Sequence, residues 1–459
     1  MVMEKEEARQ KSMRVLMLPW LACGHITPFL ELAKKLTHGN FNIYLCTSPV
    51  NLNFIKNQVP HHLRPNYPSN SIQLVELHLP SLPDLPPHHH TTRGLPLHLF
   101  PTFVKAVHMT KPQVSHIIQT LKPDLLIYDV FPFWVPDLTS SLNIPSVAFI
   151  TSGLAFVSLM FHQIKNDHEE FPFPEISPDY LRIKFSHMRK HLPFTDDQGR
   201  DISPISMYQR SSKIILARSC RELEGKYIDY LSLSFGKKIV PVGPLVTNPA
   251  HGNEGIDIIN WLNKKDKSST VFVSFGSEHC LDKEDMEEIA HGLELSKVNF
   301  IWVVRFEEGE KMKLEDALPN GFLERVGEKG MVVENWAPQI KILNHTSIGG
   351  FVSHCGWGSV MESITFGVPI IAMPMHMDQP WNARLVEELG IGLEIKRDND
   401  NGKLQRGNVG KIINQVVVEK TGEDIRRKAR EMNDCIKSKA EEEVDEVVNE
   451  LLKLAEGHI

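Results

Sequence analysis

The chain has 459 residues, 41% hydrophobic and 23% charged, an ordinary composition for a soluble globular protein and long enough that two domains are expected. Its 50 basic and 57 acidic side chains leave a net charge of −7 with no basic block, which argues against a nucleic-acid partner. Six scattered cysteines (Cys23, Cys46, Cys220, Cys280, Cys355, Cys435) form no C-x-x-C pair, and the N-terminal MVMEKEEARQKSM lacks the apolar core of a secretory signal, so reduced thiols and a cytoplasmic location are expected.

Arg14–Leu18 reads as a buried parallel strand. A helix follows, with Thr27 as its N-cap, Pro28 at its first position, and Phe29, Leu32, Ala33 and Leu36 forming an i, i+3, i+4, i+7 stripe. Further strands are expected at Ile43–Cys46, Ile72–Leu77, Leu125–Tyr128, Ser146–Ile150, Ile214–Ala217 and Lys238–Val240, with helical patterns between them, the longest near Leu97–Gln119. Leu138–Gln163 carries no formal charge, but Asn143, Pro145 and Gly153 interrupt it. A strand followed by a helix opening near Ser152 explains it better than a membrane span. Leu79–Pro96 and Asp167–Pro204 are irregular and are the candidate acceptor walls, since loops at the open edge of a parallel sheet usually choose ligands. Within the first, His88, His89 and His90 lack metal-ligand spacing and read as an exposed loop.

Residues 246–255 read as a linker, after which strands are expected near Thr270–Phe275, Asn299–Val304, Met331–Glu334, Gly349–Ser353 and Pro369–Ala372. The fold class is α/β, with two Rossmann-like, doubly wound parallel-sheet domains facing a cleft. The expected division is 1–245, linker 246–255, 256–440, and a C-terminal helix at 441–459 packing back across the domains, within a charged helical pattern from Glu423 to Leu454.

The most informative stretch is Trp336–Gln379, WAPQIKILNHTSIGGFVSHCGWGSVMESITFGVPIIAMPMHMDQ. A strand, the glycine turn His354-Cys355-Gly356-Trp357-Gly358 and a helix opening at Ser359 build an anion site, because the free N–H groups and dipole of a helix N-terminus suit a diphosphate. Local readings compete: Ser359-Val360-Met361-Glu362 is also a capping box needing no ligand, Trp336 alone would be core, and Gln339 would simply start a helix.

End to end, this stretch resembles the signature of plant family-1 UDP-sugar-dependent glycosyltransferases, which have the GT-B fold. Cys23–Pro28, Asp124–Trp134, Val242-Gly243-Pro244 and Val273–Ser277 are similar to further landmarks in the same order. The resemblance implies that Trp336 stacks on uracil, with Ala337 and Gln339 beside it, and that His354, Gly356, Gly358, Ser359 and Ser277 hold the diphosphate. It assigns Glu362 to the ribose hydroxyls, and Trp357, Asp378 and Gln379 to the sugar, glutamine suggesting glucose. Gly358 departs from the asparagine frequent in the family, so the site would lean more on backbone donors.

The same resemblance makes His25 the base that deprotonates the acceptor hydroxyl and Asp129 its orienting partner. Asp124 precedes its strand and Asp137 reads as helical surface. The implied enzyme is an inverting UDP-glucosyltransferase with no permanently bound cofactor and no metal, using UDP-glucose and a small-molecule acceptor, a monomer without a membrane segment. His-Cys-Gly-Trp-Gly-Ser, Ser274–Cys280 and the histidine loop resemble the branch-forming subgroup that extends a sugar on a triterpenoid or flavonoid glycoside. Alternatives are direct glucosylation of an aglycone, a non-catalytic nucleotide-sugar-binding protein and a sugar-nucleotide epimerase.

Overall fold

The computed structural model describes residues 12–63, 71–130, 132–166, 168–178, 181, 185, 201–249, 254–277, 280–306, 313–398, 401–455 and 457. Most of the expected second acceptor wall, and the middle of the expected linker, lie outside them.

The first sheet contains β1 (Met13–Leu18), β2 (Phe41–Thr47), β3 (Ile72–Glu76), β4 (Leu125–Tyr128), β5 (Ser146–Ile150), β6 (Ile214–Ala217) and β7 (Lys238–Pro241). All pairings are parallel and the order is β3-β2-β1-β4-β5-β6-β7. Successive side chains of a strand face opposite ways, so a sheet covered on both sides needs apolar residues at every position. In β1, Val15 and Met17 join a core with Phe29, Leu32 and Leu36 of the helix Cys23–Leu36, while Leu16 and Leu18 join another on the opposite face. Burying such a side chain stabilises by about 1.5–3 kcal/mol.

The second sheet contains β8 (Thr270–Ser274), β9 (Asn299–Val304), β10 (Gly330–Glu334), β11 (Ile348–Ser353), β12 (Ile370–Ala372) and β13 (Gly392–Glu394), all parallel, ordered β10-β9-β8-β11-β12-β13. The three-residue β13 was absent from the sequence expectation, because Gly-Leu-Glu is too short to carry a period.

Three local expectations change, and the strand-then-helix reading of Leu138–Gln163 holds. The first helix starts at Cys23 rather than after Thr27, with Ala22 as N-cap and Pro28 inside it. The amides of His25 and Ile26 already bond the Ala22 carbonyl, at 3.0 and 2.9 Å. The pattern near Leu97–Gln119 is two helices, Phe100–His108 and Lys111–Leu121, because Pro112 cannot donate into a continuing helix. The stretch Leu138–Gln163 holds the end of one helix, β5 and most of the helix Leu154–Lys165, whose N-cap is Gly153. Among the histidines, His88 is exposed but His90 is buried, 7% exposed, its carbonyl accepting from Ser48 Oγ at 2.7 Å.

No helix among the described residues is long and apolar enough to cross a membrane. All six cysteines are free. The final helix runs unbroken for 33 residues, Glu423–Ala455. Ala429 and Ile436 pack in the cluster that contains Trp357 and Trp381, and Val447, Leu451 and Leu454 enter the core of the first sheet.

Candidate active site

Loops that follow neighbouring parallel strands emerge side by side at the carboxyl edge of the sheet. β1, β4 and β5 are neighbours, so His25, Asp129 and Thr151 meet although up to 126 residues separate them. His25 stands in the first turn of its helix, with Nδ1 2.9 Å from Asp129 Oδ2 and 2.8 Å from Thr151 Oγ1. Asp129 is 1% exposed and also accepts from the backbone N–H of Trp20 at 3.1 Å and of Val130 at 2.7 Å. A carboxylate only accepts, so this contact places the imidazole proton on Nδ1 and makes Nε2 the basic nitrogen. The competing acids are committed elsewhere. Asp124, at the opposite end of β4, accepts from the Arg14 amide at 2.8 Å, and Asp137 pairs on the surface with Arg210 at 3.1 Å. A small, mostly apolar cavity at the end of β1 is lined by Leu18, Trp20, Leu77, Val107, Val114 and Trp134 among others.

The second half builds its side by the same rule, from loops after β8, β10, β11 and β12. The helix Trp357–Thr365 has Gly356 as N-cap, and Val360 is the first residue to bond back, to the Gly356 carbonyl at 3.1 Å. The amides of Trp357, Gly358 and Ser359 therefore lead the helix. Ser359 is inside this helix and not at its start, so the capping-box reading fails: the Glu362 carboxylate accepts instead from Gln339 Nε2, at 2.6 Å. Burial pushes the Glu362 carboxyl above its usual range, against the opposing effects of Gln339 and the Arg218 charge. Gln339 Nε2 also lies 3.5 Å from Ser359 Oγ.

The His354 ring is held between two glycines: a Cβ on Gly276 would lie 2.7 Å from it and one on Gly356 2.6 Å. Gly276 has φ +79°, a conformation open to glycine, and lets the His354 ring pack against its backbone one residue before Ser277. Trp336 is 53% exposed, whereas Ala337 next to it is buried. An indole left on the surface beside a polar cluster reads as a ligand platform rather than core.

Two expected sugar contacts are engaged within the protein. The indole of Trp357 is buried and donates to the Arg218 carbonyl at 2.8 Å, so this side chain ties the halves together, leaving its backbone amide at the helix start. Gln379 is 5% exposed, and its Oε1 accepts from the amides of Met375 and His376 at 3.0 and 3.1 Å, stiffening the loop after β12. Asp378 accepts from Asn382 Nδ2 at 2.9 Å, and the same nitrogen donates to the Cys355 carbonyl at 3.0 Å.

Thr151, Gly153, Arg218 and Asn382 escaped the sequence reading. Thr151 directly follows β5 and touches His25; two residues on, a Cβ at Gly153 would lie 2.8 Å from Asn382 Oδ1 and 3.1 Å from the Trp357 ring. The signal available was position, a polar turn directly after a fully apolar strand.

A polar acid–histidine pair on one sheet edge, facing a helix N-terminus with an exposed indole on the other, defines a two-domain nucleotide-sugar transferase. Residues 11–247 match the family described as glycosyltransferase, N-terminal domain, and residues 228–419 that described as UDP-glucoronosyl and UDP-glucosyl transferase. Mogroside IIIx synthase of Siraitia grosvenorii is 54% identical over 95% of this chain and 92% of its own length. Beta-D-glucosyl crocetin beta-1,6-glucosyltransferase of Gardenia jasminoides is 48% identical over 95% and 98%. A solved structure of a Glycyrrhiza uralensis UGT, complexed with glycyrrhetinic acid 3-O-monoglucuronide, shares the fold with a TM-score of 0.82 at 22% identity, over 96% of each chain. The chain belongs to the plant family-1 UDP-glycosyltransferases, of GT-B architecture.

Proposed function

We propose that the protein transfers glucose from UDP-glucose to a hydroxyl of a sugar already carried by a plant triterpenoid or flavonoid glycoside, forming a β-glucosidic bond. The acceptor hydroxyl gives its proton to His25 Nε2 as its oxygen attacks the anomeric carbon from the face opposite the phosphate. The new carbon–oxygen bond forms while the bond to the diphosphate breaks, UDP leaves with the electron pair, and α becomes β. Asp129 holds the imidazole and stabilises the imidazolium, and Thr151 assists in fixing its orientation. Trp336, Ala337 and Gln339 receive the uridine, Glu362 the ribose, His354, Ser277 and the amides from Gly356 to Ser359 the diphosphate, and Asp378 the glucose, with Gln379 bracing the loop that carries it.

The observation that carries this reading is the turn Thr151–Gly153, which touches the base at one end and the donor helix at the other. The names of the two relatives quoted above support a glycoside as acceptor. In this reading residues 1–245 hold the acceptor, 256–440 the donor, and the C-terminal helix joins them. The enzyme works as a cytoplasmic monomer, and leaving-group charge is met by the helix dipole and His354 rather than a metal, so EDTA leaves turnover unchanged.

Mass spectrometry of reactions offering UDP-glucose with aglycones and with their mono- and diglycosides tests the acceptor class. Product from the glycosides alone is expected, and product from aglycones alone overturns it. His25→Ala should abolish transfer with UDP binding intact, and full activity in that variant would remove the base.

A further inference from the structure

We propose that Arg218 is a donor-binding residue, whose guanidinium reaches from the first half of the molecule to the diphosphate at the N-terminus of the helix Trp357–Thr365. The inference rests on the donor-site reading above and adds to it a charge that comes from across the cleft.

Arg218 follows β6 directly, and its backbone is fixed twice. Its amide donates to the Ile150 carbonyl at 2.8 Å, and its carbonyl takes the Trp357 indole N–H at 2.8 Å. The side chain is buried, the residue being 3% exposed. Two of its nitrogens are held by neutral acceptors at the end of the first half: Nε donates to the Pro244 carbonyl at 2.8 Å and Nη2 to that of Leu245 at 3.4 Å. These bonds aim the third nitrogen, Nη1, which has no acceptor among the described residues. A Cβ at Gly358 would stand 3.6 Å from Nη1, so the guanidinium faces the second residue of the donor helix.

A buried cation without a counter-charge is costly, and it persists where something else supplies the anion. Among the described residues no carboxylate bonds this guanidinium. Glu362 and Glu31 are close enough to favour the charged form, but Glu362 is hydrogen-bonded to Gln339 and Glu31 pairs with Lys34 at 2.7 Å. Burial lowers the guanidinium's pKa to about 10, which still leaves it a cation at neutral pH. The missing anion is supplied by the donor. A side chain at Gly358 would begin in ordinary contact with Nη1, so the guanidinium lies beside the leading amides of the donor helix and adds a charged donor from the facing half. Because Nη1 belongs to one half and the helix amides to the other, a bound diphosphate draws the two halves together.

Titration calorimetry of Arg218→Met with UDP and with uridine tests this. Loss of a charge-assisted contact should weaken UDP roughly 10- to 100-fold while uridine binding stays within about twofold. Unchanged UDP affinity, or an equal loss for both ligands, overturns the proposal, the second result marking a merely structural role. Should Arg218→Met fail to fold, Arg218→Lys carries the test, since lysine keeps the cation but cannot bond both carbonyls and the ligand at once. UDP should then weaken about 3- to 10-fold and uridine not at all, and identical behaviour of the two ligands overturns the assignment. An unaltered chain that binds neither ligand overturns the donor site itself, a result distinct from a UDP site indifferent to Arg218.

Discussion

Replacing Asp129 by asparagine exchanges one oxygen for an amide nitrogen and should remove most of the enzyme's rate. Asparagine Oδ1 can still accept from the Val130 amide, but its NH2 group then meets the Trp20 amide and His25 Nδ1, which now bond the same carboxylate oxygen. Donor facing donor forces the imidazole proton onto Nε2, the nitrogen that must take the acceptor's proton. The imidazolium also loses its facing charge, a charge-assisted bond of about 1.5–3 kcal/mol, and the wrong tautomer adds a comparable amount. Together these come to about 3–6 kcal/mol, or roughly 10² to 10⁴ in kcat. Initial rates with saturating UDP-glucose across neutral to alkaline pH measure it. UDP affinity should not change, because Asp129 lies on the acceptor side, and the residual rate should climb with pH as hydroxide replaces the base. A variant within about tenfold of the unaltered enzyme near neutral pH, with the same pH profile, would refute the reasoning.

Three further perturbations separate donor binding from stability. Trp336→Ala should weaken UDP and uridine alike by about 1–3 kcal/mol while leaving the melting temperature unchanged, because the ring is already 53% exposed; a drop in melting temperature with unchanged affinity would return this residue to the core. Gly276→Ala forces a side chain into φ +79° and against His354, so a loss of about 1–2 kcal/mol in stability and a higher KM for the sugar nucleotide are expected, and a variant normal in both would show that His354 tolerates displacement. Glu224 is fully buried, bonded to Ser219 Oγ and the Ala155 amide, and burial pushes its carboxyl up to about 7. A raised carboxyl pKa means that the folded state holds the proton longer than the unfolded chain. Its contribution is therefore fully present below about pH 4.5 and is lost as pH rises through about 7. Relative to Glu224→Gln, the unaltered protein should lose about 3 kcal/mol over that window in urea titrations; a constant difference between the two at both ends would show that Glu224 titrates normally.

Fully apolar strands were legible because a sheet buried on both faces leaves no polar position, and every expected strand is found within a residue or two. Helix starts were less legible. Thr27-Pro28 carries the chemistry of a start, yet the chain is already helical from Cys23, and that earlier turn is what places His25 against Asp129. Ser359 and Glu362 have the spacing of a capping box, but the glycine turn starts the helix at Trp357 and frees Glu362 for Gln339, a partner 23 residues away. His25 and Asp129 stood out through the family resemblance. Thr151 and Arg218 did not, because their significance lies in strand order and in what the facing half presents, neither of which a local pattern encodes. Trp357 and Gln379 show the converse: the side chains are where expected in the chain, but one is spent on holding the halves together and the other on holding its own loop.

The final helix passes the end of the first half at one point: a Cβ on Gly243 would lie 2.9 Å from Glu443 Oε2, and Lys238 bonds Glu446 and Glu450 at 2.8 and 3.0 Å. The chain leaving β7 and a helix about 50 Å long that packs back from the second half therefore meet at the same end of the first sheet, one a covalent link and the other a packed strap. A link and a strap fastened at the same end favour a swing of one half against the other over a slide. A swing of that kind would bring His25 back toward the sugar's anomeric carbon at every turnover, guided by residues that touch neither substrate.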